Sequence, residues 1–225
     1  MITLVHGGQT GVDRGAHEAA IDNGWPIAGY MPRDKRDELG RIPEDVTRFL
    51  VPHEKTNYAA RTAANVRTAT AVLLIVKDTT DPRATPGTSK TIELAAQRSL
   101  PCMIADPTTD VAKIARWIRT HLLAVGTLSL PLETSASLEL VPTKLLVAGP
   151  RASKWPGARA ETAALLRRVA MVLAEISRLD GPKQDLAAVT PLGEDSCVRL
   201  DNGCAKRVTA WNIAEIIGAE SAKKT

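Results

Sequence analysis

The stretch "VHGGQTGVDR", Val5–Arg14, follows an apolar run that begins at Ile2 and leads into the segment "GAHEAAIDNG". A short apolar run, a glycine-rich turn and a helical pattern, in that order, form the opening unit of a parallel sheet with crossover helices. Thr10 and Asp13 carry the Thr-x-x-acid spacing of a capping box, which predicts a helix from Gly11 to Asn23. In an open parallel sheet, ligands sit outside the carboxyl ends of the strands, where helix N-termini expose N–H groups and a partial positive charge. The stretch therefore reads as an anion loop.

Two common anion loops are excluded by spacing. No Gly-x-x-x-x-Gly-Lys-Ser/Thr is present, so this is not a P-loop. A dinucleotide fingerprint would need its first glycine where His6 stands, and the second strand runs into Arg33 without an acid for a ribose.

Working outward, the same rhythm continues. Strands are predicted at Ile2–His6, Pro26–Tyr30, Ala71–Val76, Pro101–Ile104 and Lys144–Ala148. Helices are predicted at Gly11–Asn23, Asn57–Thr68, Ser89–Ser99, Val111–Leu123 and Ala158–Leu179, the last from Leu166, Val169, Ala170, Leu173 and Ile176 at three- and four-residue spacing. The fold class is α/β, a doubly wound, mostly parallel sheet of five or more strands with helices on both faces. This domain spans residues 1–180. Asp180-Gly181-Pro182 then breaks the pattern, and residues 181–225 form a small C-terminal appendage with a hairpin over 198–208, around Asn202-Gly203, and a short helix over 210–217.

Composition limits the function. Of the 225 residues 44% are hydrophobic and only 3% aromatic, so the core rests on aliphatic side chains. A net charge of +4 suits a small anionic ligand and is too slight and dispersed to imply nucleic acid. Three cysteines without a CxxC pair read as free thiols of a cytoplasmic protein, and no apolar run is long enough to span a bilayer. The four scattered histidines form no metal-ligand pattern, and no protein-ligated metal is expected.

Other strand ends repeat the anion theme. Arg33, Lys35 and Arg36 follow the second strand, "TPGTSK" with Gly87, Thr88, Ser89 and Lys90 follows the third, and "AGPRASKWPG" with Arg151, Ser153, Lys154 and Trp155 follows the fifth. Tyr58, Arg61 and Asn65 fall at i, i+3 and i+7 of one helix and share a face. Loops at the carboxyl edge converge, so Arg14, Arg33, Lys35, Arg36, Lys90, Arg151 and Lys154 are expected around one cleft.

In order, "GGQTGVDRGAHEAA", "MPRDKRDELGRIPE", "YAARTAANVRTATAVLLI", "PGTSKTIELA" and "LLVAGPRASKWPG" resemble the family named for molybdenum cofactor carriage, over roughly residues 1–175. That family is part of a Rossmann-like superfamily that includes cytokinin-activating phosphoribohydrolases. The resemblance implies a carrier of molybdenum cofactor, a phosphorylated pterin bearing a dithiolene-bound oxo-metal, or of a related phosphorylated ligand. It also implies homo-oligomers and molybdoenzymes as recipients. By motif it places Gly7, Gly8, Thr10, Gly11 and Arg14 on the first loop, Arg33 and Arg36 on the second, and Arg61 and Asn65 in "RTAANV". Gly87 and Thr88 fall on the third loop and Arg151, Ser153 and Lys154 on the last. The chain departs from the pattern at Thr68 and Thr70, where acids are common, and at His6, where a small residue is usual.

Two rival readings stand beside it. The hydrolases use Pro-Gly-Gly-x-Gly-Thr-x-x-Glu, whereas "PGTSKTIE" lacks two of those glycines and sets Glu93 five residues after Thr88. The residues thus favour a binding protein over an N-glycosidic nucleotide-processing enzyme. A nucleotide-sensing module, signalling through residues 181–225, is the third reading.

Overall fold

The computed structural model describes residues 2–83, 85–123, 143–179, 197–199 and 205–207. Contacts divide the chain after Leu179 into two units. In the first, β1 (Ile2–Val5), β2 (Ile27–Ala28), β7 (Ala71–Ile75), β8 (Cys102–Ala105) and β9 (Thr143–Ala148) form a parallel sheet in the order β2-β1-β9-β7-β8. The registers set Leu4 against Ile27 and Leu145, and Leu73 against Val147 and Met103.

The last strand of the unit, β9, lies at the centre. If β9 and the helix after it preceded β1, the order would be 3-2-1-4-5, that of a doubly wound sheet without its sixth strand. Every residue of β7 is buried, as expected of a strand covered on both faces.

Helices α1 (Val12–Asp22), α5 (Val111–Ile118) and α6 (Ala158–Leu179) pack together on one face. Leu4, Leu73, Ile75, Leu145, Ile114, Leu165 and Leu166 share that core. Helices α3 (Tyr58–Thr68) and α4 (Pro86–Gln97) cover the other face over Val5, Val72, Leu74 and Leu146. The connection from β1 toward β2 uses α1, while those running toward β8 use α3 and α4 on the other face, so these crossovers share one hand. Among the described residues no helix is long and apolar enough to cross a membrane.

Between β2 and α3 the chain makes a smaller lobe. Gly29, at φ 136°, separates β2 from β3 (Tyr30–Met31), so the single predicted strand is two. A hairpin follows, β4 (Arg36–Asp37) with β5 (Gly40–Arg41), then α2 (Glu44–Thr47) and β6 (Val51–Pro52), which pairs with β3. Met31, Ile42, Val46 and Leu50 form this lobe's own core.

Two helix ends depart from expectation. Helix α4 begins at Pro86 rather than Ser89, because Thr85 caps it by accepting from Thr88 N and proline fits the first helical position. Helix α5 widens into a π-helical turn over Arg119–Leu123. In the second unit β10 (Cys197–Arg199) and β11 (Ala205–Arg207) pair antiparallel, and the predicted helix 210–217 lies outside the described residues.

Candidate functional site

The opening glycine loop is closed on itself. Gly7 N and Gln9 N both donate to Asp13 Oδ2, at 3.1 and 3.0 Å. Gly8 N donates to His6 Nδ1, and Thr10 N to Gln9 Oε1. Each amide from Gly7 to Thr10 thus has an acceptor inside the protein, and the loop holds its own carboxylate in place of a ligand's anion.

The capping box expected of Thr10 and Asp13 does not form. Gly11 is the N-cap, at φ 70°, with no side-chain cap. Asp13 folds back onto the loop while Thr10 turns away to Glu38 and accepts from Ala152 N. A side chain at Gly11 would meet Pro150 O at 2.5 Å, so this turn is packed against the one after β9.

His6 fits where a small residue is usual because it is wholly buried and wired. Gly8 N can only donate, so His6 Nδ1 is the acceptor and its Nε2 carries the proton toward His17 Nδ1, 3.1 Å away. Burial, reinforced by His17, Arg14 and Arg61, lowers the His6 pKa to about 3. The ring is neutral and structural.

Beside this loop a cavity of about 280 Å³ opens at the carboxyl edge of the sheet. Arg61 projects from α3 against the loop: its Nη1 donates to Gly7 O at 3.0 Å and its guanidinium lies 5.7 Å from the Tyr58 ring centroid. Arg61 Nε is buried and has no partner. A Cβ on Gly7 would stand 2.8 Å from Arg61 Cζ and 3.0 Å from Asp13 Oδ2, so a side chain there would shift that pair. Burial raises the Asp13 pKa, and Arg61 and the two loop amides act against the rise.

The opposite wall is the first turn of α4, with Thr85, Gly87 and Thr88, and the turn after β9 adds Arg151 and Lys154. Three cations, Arg61, Arg151 and Lys154, face one carboxylate, Asp13. A smaller chamber of about 200 Å³ shares Thr85, Thr88 and Lys154 with the first and is walled by Asp78, Pro82 and Trp155.

Of the residues singled out by sequence, Gly7, Arg61, Asn65, Gly87, Thr88, Arg151 and Lys154 line the cavity. Asn65 does so with its amide in use, since Oδ1 accepts from Tyr30 N at 2.6 Å and Nδ2 donates to Tyr30 O at 3.0 Å. The structure does not bring Gly8, Thr10, Gly11, Arg14, Arg33, Arg36 or Ser153 to this wall. Arg14 is paired with Asp37 at 2.7 Å, Thr10 and Ser153 hold Glu38, Arg33 reaches Glu54 O, and Arg36 is exposed on the hairpin. Lys90 pairs on the surface with Glu93, which is likewise outside the cavity. Gln9, Thr62 and Thr85 are lining residues that the sequence reading passed over, although a threonine before Pro86 was a legible helix start.

The sequence profile of the circularly permutated YpsA SLOG family matches residues 4–135. The chain belongs to that family. The central place of the last strand of its five-stranded sheet is an order of the permuted kind. Among solved structures this SLOG chain is similar to a "Putative molybdenum carrier protein" from Syntrophus aciditrophicus. Identity is 28%, over 74% of this chain and 93% of that one, with a TM-score of 0.59. No curated protein matches it.

Proposed function

We propose that this SLOG protein binds a phosphate-bearing organic anion in the cavity between α3, α4 and the turn after β9, and that its cargo is molybdenum cofactor. The observation that carries the reading is Arg61, whose buried Nε lacks a partner beside two further cations and a helix N-terminus. A buried donor without an acceptor is costly, and an oxyanion supplies one. The donor set is guanidinium, ammonium, hydroxyl and amide, which fits the phosphate of a pterin or a nucleotide. In such a cargo the dithiolene ligates the metal. The similarity to a protein named as a molybdenum carrier supports the same choice. As a carrier, the chain would act as a homo-oligomer and pass its cargo to molybdoenzymes.

Mass spectrometry of the protein purified from a host that makes the cofactor tests this reading. Pterin in the bound fraction is the expected result, and adenine nucleotides without pterin would overturn the cargo. The enzymatic reading draws on one observation, the Asp13 carboxyl of raised pKa on the cavity wall. Incubation with nucleoside monophosphates separates the two, since release of free base requires an enzyme.

A further inference from the structure

The hairpin after β3 meets the carboxyl edge through Gln9, Thr10, Arg14, Arg151 and Ser153. No residue from Arg33 to Arg41 is buried, and Leu39 at its tip is 81% exposed. Its flanks, by contrast, are fixed: Met31 and Ile42 are 1% and 2% exposed in the small lobe's core, and Ile42 N donates to Lys35 O across the hairpin base. Lys35 sits there at φ 53°, in the left-handed region that non-glycine residues seldom adopt. What holds β4–β5 down is polar. Asp37 pairs with Arg14, Glu38 N donates to Gln9 Oε1, and the Glu38 carboxylate collects the rest.

That carboxylate sits in a site built for an oxyanion. It accepts from Ser153 N at 2.9 Å, from Ser153 Oγ and from Thr10 Oγ1, and it pairs with Arg151 Nε at 3.3 Å. Ala152 N donates to the Thr10 hydroxyl, which leaves that hydroxyl to donate to Glu38. Two hydroxyls, one amide and one guanidinium on a single acceptor form the donor set of a phosphate site, filled by the protein's own side chain. Arg151 belongs to this cradle and also lines the neighbouring cavity.

We propose that the hairpin is a strap, closed by Glu38 on an oxyanion cradle at Thr10, Arg151 and Ser153, and opened when a phosphate ester takes the place of the carboxylate. This rests on the phosphate-binding reading of the adjacent cavity. A phosphate offers the same donors more acceptor oxygens and more charge than a carboxylate does, and release of the hairpin also gives up the Asp37–Arg14 pair. Glu38 is therefore an internal competitor, and removing its charge strengthens binding of a phosphate probe.

The test is calorimetric titration of the full chain with inorganic pyrophosphate at low ionic strength, comparing the unaltered protein with Glu38→Gln and Glu38→Ala. The expected result is binding about tenfold tighter in both variants, because the competent state no longer has to be released. Tryptic cleavage at Lys35, Arg36 and Arg41 gives a second readout: pyrophosphate should speed it in the unaltered protein, and Glu38→Ala should be cut fast without it. Glu38→Gln keeps the shape of the side chain should the alanine variant fold poorly. Equal or weaker binding in Glu38→Gln, with pyrophosphate bound by the unaltered protein, overturns the strap alone and leaves the cavity reading intact. Absence of binding in all three proteins overturns both.

Discussion

Arg61 concentrates the chemistry of this edge in one side chain. It spans the glycine loop and the cavity, with one nitrogen on Gly7 O and another unpaired. Replacing Arg61 with Ala should weaken binding of a phosphorylated ligand by about 1.5 to 3 kcal/mol, the scale of charge-assisted hydrogen bonds, as titration calorimetry would read. His6 and Asp13, on the same loop, predict a pH dependence of opposite signs. The folded-state pKa of His6 lies below its unfolded value, so the stability it confers is full above pH ~6.5 and is lost as pH falls toward about 3. Asp13 is shifted up, so its contribution is full below its unfolded value and is lost as pH rises through the folded one. Between pH 7 and 4 the two oppose each other. Urea titrations over that range should show a shallower acid limb for His6→Gln and a steeper one for Asp13→Asn, and identical limbs would refute both assignments.

Helix α4 shows how local chemistry shapes the site. Thr85 caps it and lines the cavity, so Thr85→Ala should cost about 1 kcal/mol of stability by thermal or urea denaturation and loosen the wall that carries Gly87 and Thr88. Elements governed by near neighbours were legible in the sequence. Helix α6 runs Ala158–Leu179 as its periodicity predicts, and β7 follows its unbroken apolar run. Of the seven cations expected around one cleft, Arg151 and Lys154 line the cavity, whereas Arg14, Arg33, Lys35, Arg36 and Lys90 do not. Pairings between distant segments were not legible. Ser153 meets Glu38 across 115 positions and Asn65 meets Tyr30 across 35. A list of charges at one edge says nothing of which cation already has a carboxylate of its own. The second strand breaks at Gly29, where φ is 136° and a Cβ would meet His6 O at 2.0 Å, a contact with a segment 23 positions away.

Among the described residues, all those that line the cavity precede Leu179 and belong to the first unit. Its sheet, however, is assembled in an order that synthesis does not follow. Strand β1 pairs with β2 and β7 with β8, but β1 and β7 meet only through β9. A chain emerging from the ribosome therefore carries two separate half-sheets, each with a bare inner edge of Val, Leu and Ile, until residues 143–148 arrive to join them. Unpaired apolar edges of this kind recruit one another between molecules. A chain stopped at residue 142 should accordingly aggregate when expressed, while one ending at Leu179 should be soluble and bind ligand as the full chain does, which sedimentation and calorimetry would show. The central strand is the last of its sheet to be made, so a chain interrupted before residue 143 lacks the one strand that joins the two halves.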